Sequence, residues 1–287
     1  MNAAATTIIR TRVAQRSWRS ESRAVRAVWW REMIRFADDR VRIVTALIQP
    51  LLFLFVLAPG LQSLSAASTD GVDLTTFMFP GVLCMAMWFS AMISAASLVM
   101  DRQLGFLREM MVAPVNRSSI ILGKCLAGMT SAMLQALILL ALAGLVHVPY
   151  DPVLLVGIFG LQLLIAFSVT ALGVMVATTV RQPPTFNGVM QLLVFPTVFL
   201  SGAMYPVSDL PTWLGVLNRI NPLTYAVDPM RRLVFSHLDV SDATRQRLAP
   251  GVTWSGWQVP VLVELGLVLV IGVAMMAIAI ARFGRTE

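Results

Sequence analysis

Six long apolar runs constrain this chain more than any other feature, because each is long enough to cross a bilayer. A helix covers roughly 30 Å of hydrocarbon with about 20 apolar residues, at about 1.5 Å per residue. The runs lie near 43–65, 78–100, 120–146, 153–179, 186–205 and 259–281. Backbone polar groups in hydrocarbon have no water to bond, so each run has to satisfy its own N–H and C=O groups as a helix. The expected fold class is an all-α integral membrane protein with six transmembrane helices in a single domain over 21–287. Before it, residues 1–20 read as a basic, disordered arm rich in Arg, Ser, Thr and Ala.

Composition argues the same way. The chain is 57% hydrophobic and only 13% charged, where a soluble domain carries roughly 25% charged residues. Its two cysteines, Cys84 and Cys125, lie in or beside apolar runs, which argues against a disulfide framework or a metal cluster. The first run begins 42 residues in and is too long for a signal h-region, so it is expected to stay in the membrane. Lys124 is the only lysine among 22 cations, which points to a GC-rich bacterial genome, and the expected location is the bacterial cytoplasmic membrane.

The charges orient the spans. Residues 1–42 hold ten arginines against Glu21, Glu32, Asp38 and Asp39. With the amino terminus inside, 17 of the 22 cations fall in inner segments, while the outer loops near 66–77 and 147–152 carry none and hold Asp70, Asp73 and Asp151. Both termini are therefore expected in the cytoplasm. A basic arm beside an apolar span faces anionic lipid headgroups rather than nucleic acid. Within 21–40, Val25, Val28, Trp29, Met33 and Phe36 share one side and predict an interfacial helix, although Glu32 falls inside that stripe.

Prolines mark irregularities. Pro50 and Pro59 predict kinks or an early end in the first span, and Pro196 interrupts the fifth. Residues 206–235 stay apolar enough to lie against or dip into the membrane, and Asn221-Pro222 and Asp228-Pro229 predict two short helices. These form either a re-entrant pair on the outer face or a helix packed on headgroups.

No catalytic constellation is present in the sequence. Gly123-Lys124 has Ser118 where a phosphate loop needs its first glycine and Cys125 where it needs Ser or Thr. His147 and His237 lack metal-spaced neighbours. Glu264 is the one acid inside a span; it snorkels to the outer surface, pairs with an arginine of the preceding loop, or lines a substrate pathway. Gln49, Gln135, Gln162 and Gln191 read as buried interhelical glue, with Gln135 and Gln191 as pathway alternatives. Gly128, Ala132 and Ala136 form a small-residue row suited to close packing within or between subunits.

The polar interruption Asp101–Lys124, DRQLGFLREMMVAPVNRSSIILGK, repeats Leu104, Leu107, Met110 and Met111 at helical spacing, with Arg102, Arg108 and Glu109 on other faces. Pro114 ends this short amphipathic helix, and Asn116 or Ser118 caps the next. Composition alone leaves it either a solvated turn or a docking element. Together with FLSGAMYPVSDLPTWL (Phe199–Leu214) and INPLTYAVDPMRRLVF (Ile220–Phe235), it resembles the membrane subunits of type-2 ABC exporters, nearest the daunorubicin-resistance-type permeases. The three blocks stand in order across nearly the whole chain after about residue 25.

That resemblance implies a half-transporter, forming a homodimer or a heterodimer with a second permease. Two cytoplasmic ATP-binding cassette subunits would dock on it, carrying the ATP and magnesium, with no cofactor in this chain. It implies that Arg102, Leu104, Gly105, Leu107, Arg108, Glu109, Pro114 and Arg117 form a coupling helix against the ATPase. It also implies that Gly202, Pro206, Asn221, Pro222 and Tyr225 belong to an outer re-entrant gate. Pro229 departs from the small residue many relatives carry. The implied cargo is hydrophobic or amphipathic, drug-like or lipid-linked, with polysaccharide or lipo-oligosaccharide as the runner-up. A secondary carrier would need mid-membrane ionisable residues and inverted repeats, and neither is evident.

Overall fold

The computed structural model describes residues 18–65, 72–107, 110, 116–207, 210–254 and 256–286. Within these the chain is helical apart from turns and one two-residue antiparallel ladder, Thr253–Trp254 against Trp257–Gln258. The expected all-α class is what the fold shows.

Helix α1 spans Trp18–Asp38, starting inside the arm expected to be disordered; residues 1–17 of that arm lie outside the described residues. Glu21 in its first turn and Arg35 in its last complement the helix dipole. The first apolar run becomes α2 (Arg40–Leu52) and α3 (Ala58–Ser65), joined by a π turn over Phe53–Leu57. Pro50 and Pro59 each remove a backbone donor. Between them the ladder widens, with the Ala58 N–H donating to Phe53 O, and the helix continues rather than stopping.

Next come α4 (Leu74–Gln103), α5 (Arg117–Leu140) and α6 (Pro152–Thr179), and α11 (Val261–Thr286) closes the chain. Five helices are long and apolar enough to cross a membrane: Ile43–Gln62, α4, α5, α6 and Val261–Arg285. The fifth expected run instead forms α7 (Pro183–Leu200), 18 residues that end in a turn at Ser201. At about 1.5 Å per residue it reaches ~27 Å, just short of the hydrocarbon thickness.

Helix α4 is the axis of the molecule. Phe77, Phe79, Leu83, Met87 and Leu98 are fully buried where it packs on α5 and α6, and α11 packs along α6. A Cβ on Gly128 would lie 2.4 Å from Thr170 Cγ2 on α6 and 3.1 Å from Ser94 Oγ on α4. With Ala132 and Ala136 also fully buried, the small-residue row serves packing within the chain. Val44, Ile48 and Leu52 on α2 and Val270 and Val273 on α11 are exposed, an apolar exterior suited to hydrocarbon.

At the end opposite the Asp101–Lys124 segment lie α8 (Thr212–Ile220), α9 (Thr224–Ser236) and α10 (Asp242–Leu248). Asn221-Pro222 breaks the chain between α8 and α9 as expected, but Asp228-Pro229 does not: α9 runs straight through Pro229. Thr224 through Arg231 are all buried against α4, α6 and α11, and that packing outweighs the lost donor.

Candidate functional site

The side chains that bracket the Asp101–Lys124 segment are tied to α1 by a buried ionic cluster. Asp101 and Lys124, the last turn of α4 and the second turn of α5, are 0% and 3% exposed. Lys124 Nζ lies 2.5 Å from Asp101 Oδ2 and 2.9 Å from Glu32 Oε1, and donates to Ser97 Oγ at 3.0 Å. Arg31 and Arg35 close the cluster from α1, Arg35 at 2.9 Å from Asp101 Oδ1 and Arg31 bonded to Asp101 and Glu32. Two carboxylates thus meet three cations, satisfying charges that burial alone would make very costly. Burial pushes the Glu32 carboxyl up, but the Lys124 ammonium more than offsets this and holds it below its ordinary 4.5. Burial lowers and Asp101 raises the Arg35 guanidinium, with a net rise.

A carboxylate whose pKa is depressed by folding stabilises the fold above its unfolded value, and that stability is lost as pH falls through the folded value. Thermal stability of the detergent-solubilised chain is therefore expected to fall as pH drops below about 4.5, with Glu32→Gln flattening that part of the profile.

Glu21 binds the other foot of the segment. Its carboxylate accepts the Asn116 N–H at 3.1 Å and the Ser119 hydroxyl at 2.5 Å, capping the positive end of α5. Between the two feet α1 crosses α5 at Gly123, where an added Cβ would sit 2.7 Å from Val28 Cβ. Helix α1 is therefore a strap across α4 and α5, fixed at both ends of the loop they support.

The expected docking residues separate on this frame. Leu104 is exposed and follows α4 directly, and Gly105 (φ +81°) turns the chain where a Cβ would be strained. Leu107, expected on the docking face, is 1% exposed, because the turn at Gly105 folds it into the core. Arg102 does not point outward: its guanidinium donates to Val180 O at 2.9 Å and Ala177 O at 3.3 Å, capping the carbonyl end of α6. Arg117 likewise donates to Gly284 O of α11 at 2.8 Å. Arg108, Glu109 and Pro114 lie outside the described residues.

The opposite end holds a second polar assembly. Asn221 Nδ2 donates to Thr197 O at 2.6 Å and its Oδ1 accepts the Leu223 N–H, tying α7 to the Pro222 turn. Asn218 Nδ2 donates to Leu200 O at 2.8 Å, and the Tyr225 hydroxyl donates to Arg219 O at 2.5 Å. Gly202 (φ +71°) and the half-buried Pro206 shape the turn after α7, where Arg231 donates to Gly202 O at 2.6 Å and stacks on Phe77. Glu264 is fully buried and pairs with Arg232 at 3.1 Å. Arg232 also lies 2.5 Å from Asp228, though off the hydrogen-bonding direction. The arginine partner read for Glu264 is thus present. Gln135 and Gln162 are buried, but Gln191 is exposed on α7 rather than buried, because α7 stands at the edge of the bundle.

By pattern alone Glu32 is a polar break in the stripe of α1, and Lys124 belongs to an incomplete phosphate loop. A lone lysine and a lone glutamate inside otherwise apolar patterns were the available signal.

Residues 23–235 match the family described as ABC-2 type transporter. A protein named as the transport permease ycf38 of Cyanophora paradoxa is 28% identical over 72% of this chain and 72% of its own. The protein named as the doxorubicin resistance ABC transporter permease DrrC of Mycobacterium tuberculosis is 24% identical, over 70% of this chain and 73% of its own. YbhR of Escherichia coli, named as a multidrug ABC transporter permease, is 27% identical over 56% of this chain and 44% of its own. The matched range runs from the second turn of α1, through the ionic cluster, to Phe235 in the last turn of α9, and by it the chain belongs to the ABC-2 type transporter family of membrane permeases.

Proposed function

We propose that the chain is the membrane subunit of an ATP-driven exporter, with the Asp101–Lys124 end in the cytosol as the docking surface for a separate ATPase. The observation that carries this reading is the strap. Glu32, Asp101 and Lys124 join α1, α4 and α5, Glu21 closes the far foot, and Arg102 and Arg117 reach α6 and α11. A push on residues 104–116 then moves these helices as one body, the kind of rigid shift that transmits a distant closure. Buried charges held this way resist being pulled apart, because separating them exposes unpaired charge to a low dielectric.

Orientation follows the cations, 17 of 22 of which fall on the docking side. With α7 as a short sixth crossing, both termini lie in the cytoplasm. ATP and magnesium bind the partner subunit. In this chain the ammonium of Lys124, the residue nearest to a phosphate-loop lysine, is fully committed to carboxylates. A second permease, identical or a sister, completes the pathway, and the exposed apolar faces of α2 and α7 are available to meet it. α8 and α9 cap the outer end. The cargo is a hydrophobic or amphipathic small molecule, in keeping with relatives named for multidrug and doxorubicin resistance. Coupling needs ATP and cargo to favour different conformations.

The test co-expresses the chain with ABC ATPases from neighbouring reading frames and measures uptake of amphipathic dyes into inverted vesicles. The expected result is co-purification of one ATPase and uptake that depends on ATP. Uptake driven by an ion gradient with no ATPase present contradicts the reading.

A further inference from the structure

The geometry points to a binding site for one anionic phospholipid in the groove between α1 and α5, its phosphate on Arg23 and Arg26 and an acyl chain along Leu122 and Leu126. The groove has a volume of about 830 Å³ and opens beside a second recess of about 640 Å³, the two sharing Arg26 and Trp29. Its floor is apolar. Val25 of α1 faces Leu122 and Leu126 of α5, which are 40% and 43% exposed. From Leu122 to Thr130 this floor runs ~12 Å along α5, at about 1.5 Å per residue. Trp29 is held there by a 3.0 Å bond from its indole N–H to Thr130 Oγ1, and Trp30 stands 6.0 Å away and exposed. Paired indoles with one polar edge suit the headgroup boundary.

The mouth of the groove is positive. Arg26 lines the groove and Arg23 the adjoining recess; both are exposed, and no described side chain pairs with Arg26. The one carboxylate in the lining, Glu21, already accepts from Asn116 and Ser119. An apolar floor under an unneutralised cationic rim calls for an acyl chain carrying an anionic headgroup.

The same charges argue against other occupants. A second copy meeting this face through a two-fold axis would set arginines against arginines. Residues 1–17 carry Arg10, Arg12 and Arg16 and no acid, so their composition offers this rim no counter-charge. The site stands apart from the docking reading, since lipid binding in detergent depends on neither the ATPase nor the sidedness of the membrane.

The test loads the purified full-length chain with equal amounts of dioleoyl phosphatidylglycerol and dioleoyl phosphatidylcholine and reads retained lipid by native mass spectrometry. Wild type is expected to keep phosphatidylglycerol preferentially. Arg23→Gln with Arg26→Gln should lower that preference about fivefold per arginine, and Leu126→Asp should release both lipids. Arg245→Gln, at the opposite end, should change neither. An unchanged lipid ratio in the double arginine variant overturns the site. So does displacement of phosphatidylglycerol by excess inorganic phosphate, which would mark a free-anion site. A lipid-free dimer that Leu126→Asp dissociates, or retention that rises when residues 1–17 are removed, would assign the groove to protein instead.

Discussion

Lys124→Met is expected to destabilise the folded chain by roughly 3 kcal/mol, because removing one partner of a buried ion pair strands the others. Lys124 is 3% exposed and is the only cation of its cluster fully inside the protein. Its loss leaves the buried Glu32 and Asp101 facing each other, held only by the half-exposed Arg31 and Arg35. The cost should fall when Glu32→Gln is added, since the second change removes the charge that the first stranded. Thermal unfolding of wild type, both single variants and the double variant gives the coupling directly. Additive effects would mean that the cluster is not a unit. Near-neutral loss in the Lys124→Met variant would mean that α1 is held by its apolar contacts alone. In the assembled transporter the same substitution is expected to separate ATP hydrolysis from transport, because a loosened strap lets residues 104–116 move without α4 and α5.

Glu109→Arg is the second large effect. On the proposed docking surface it places a positive charge where the partner was matched to a negative one, and like charges opposed across an interface cost several kcal/mol. Insertion and folding should be normal, while association with the ATPase weakens by roughly tenfold or more and substrate-stimulated hydrolysis drops to the basal rate. Arg102→Gln is the informative companion. Because Arg102 caps carbonyls of α6, its loss should lower thermal stability while leaving ATPase affinity nearly unchanged. If Glu109→Arg left stimulated hydrolysis intact, Glu109 would have no part in docking.

Much of this molecule is legible in its hydrophobic runs, because a helix in hydrocarbon is dictated by length and composition. The presence of α4, α6 and α11 follows from that, as does the break at Asn221-Pro222. What pattern could not deliver is contact between elements far apart in the chain. Glu32 spoils the amphipathic stripe of α1 only until Lys124, 92 residues away, is brought to it. Leu107 has the spacing of a docking residue, yet a positive φ at Gly105 turns it inward, and no periodicity encodes that turn. Arg102 reads as a surface charge because its partners are backbone carbonyls, which every sequence has and none advertises. Pro229 misleads for a related reason, since burial of both halves of α9 overrides a strong local breaker. The Glu264–Arg232 pair was within reach, because an acid in a span demands a cation and the preceding loop supplied one.

The central claim, that an ATPase docks on the loop strapped by α1, is tested most directly by a thiol at its exposed start. Cys84 and Cys125 are buried, so the Leu104→Cys variant presents the one reactive thiol among the described residues. With the co-expressed ATPase in inverted vesicles, the account predicts that this thiol cross-links to the ATPase and becomes protected from a membrane-impermeant maleimide. Labelling of the thiol from outside intact cells, or reactivity unchanged by the ATPase, would contradict it.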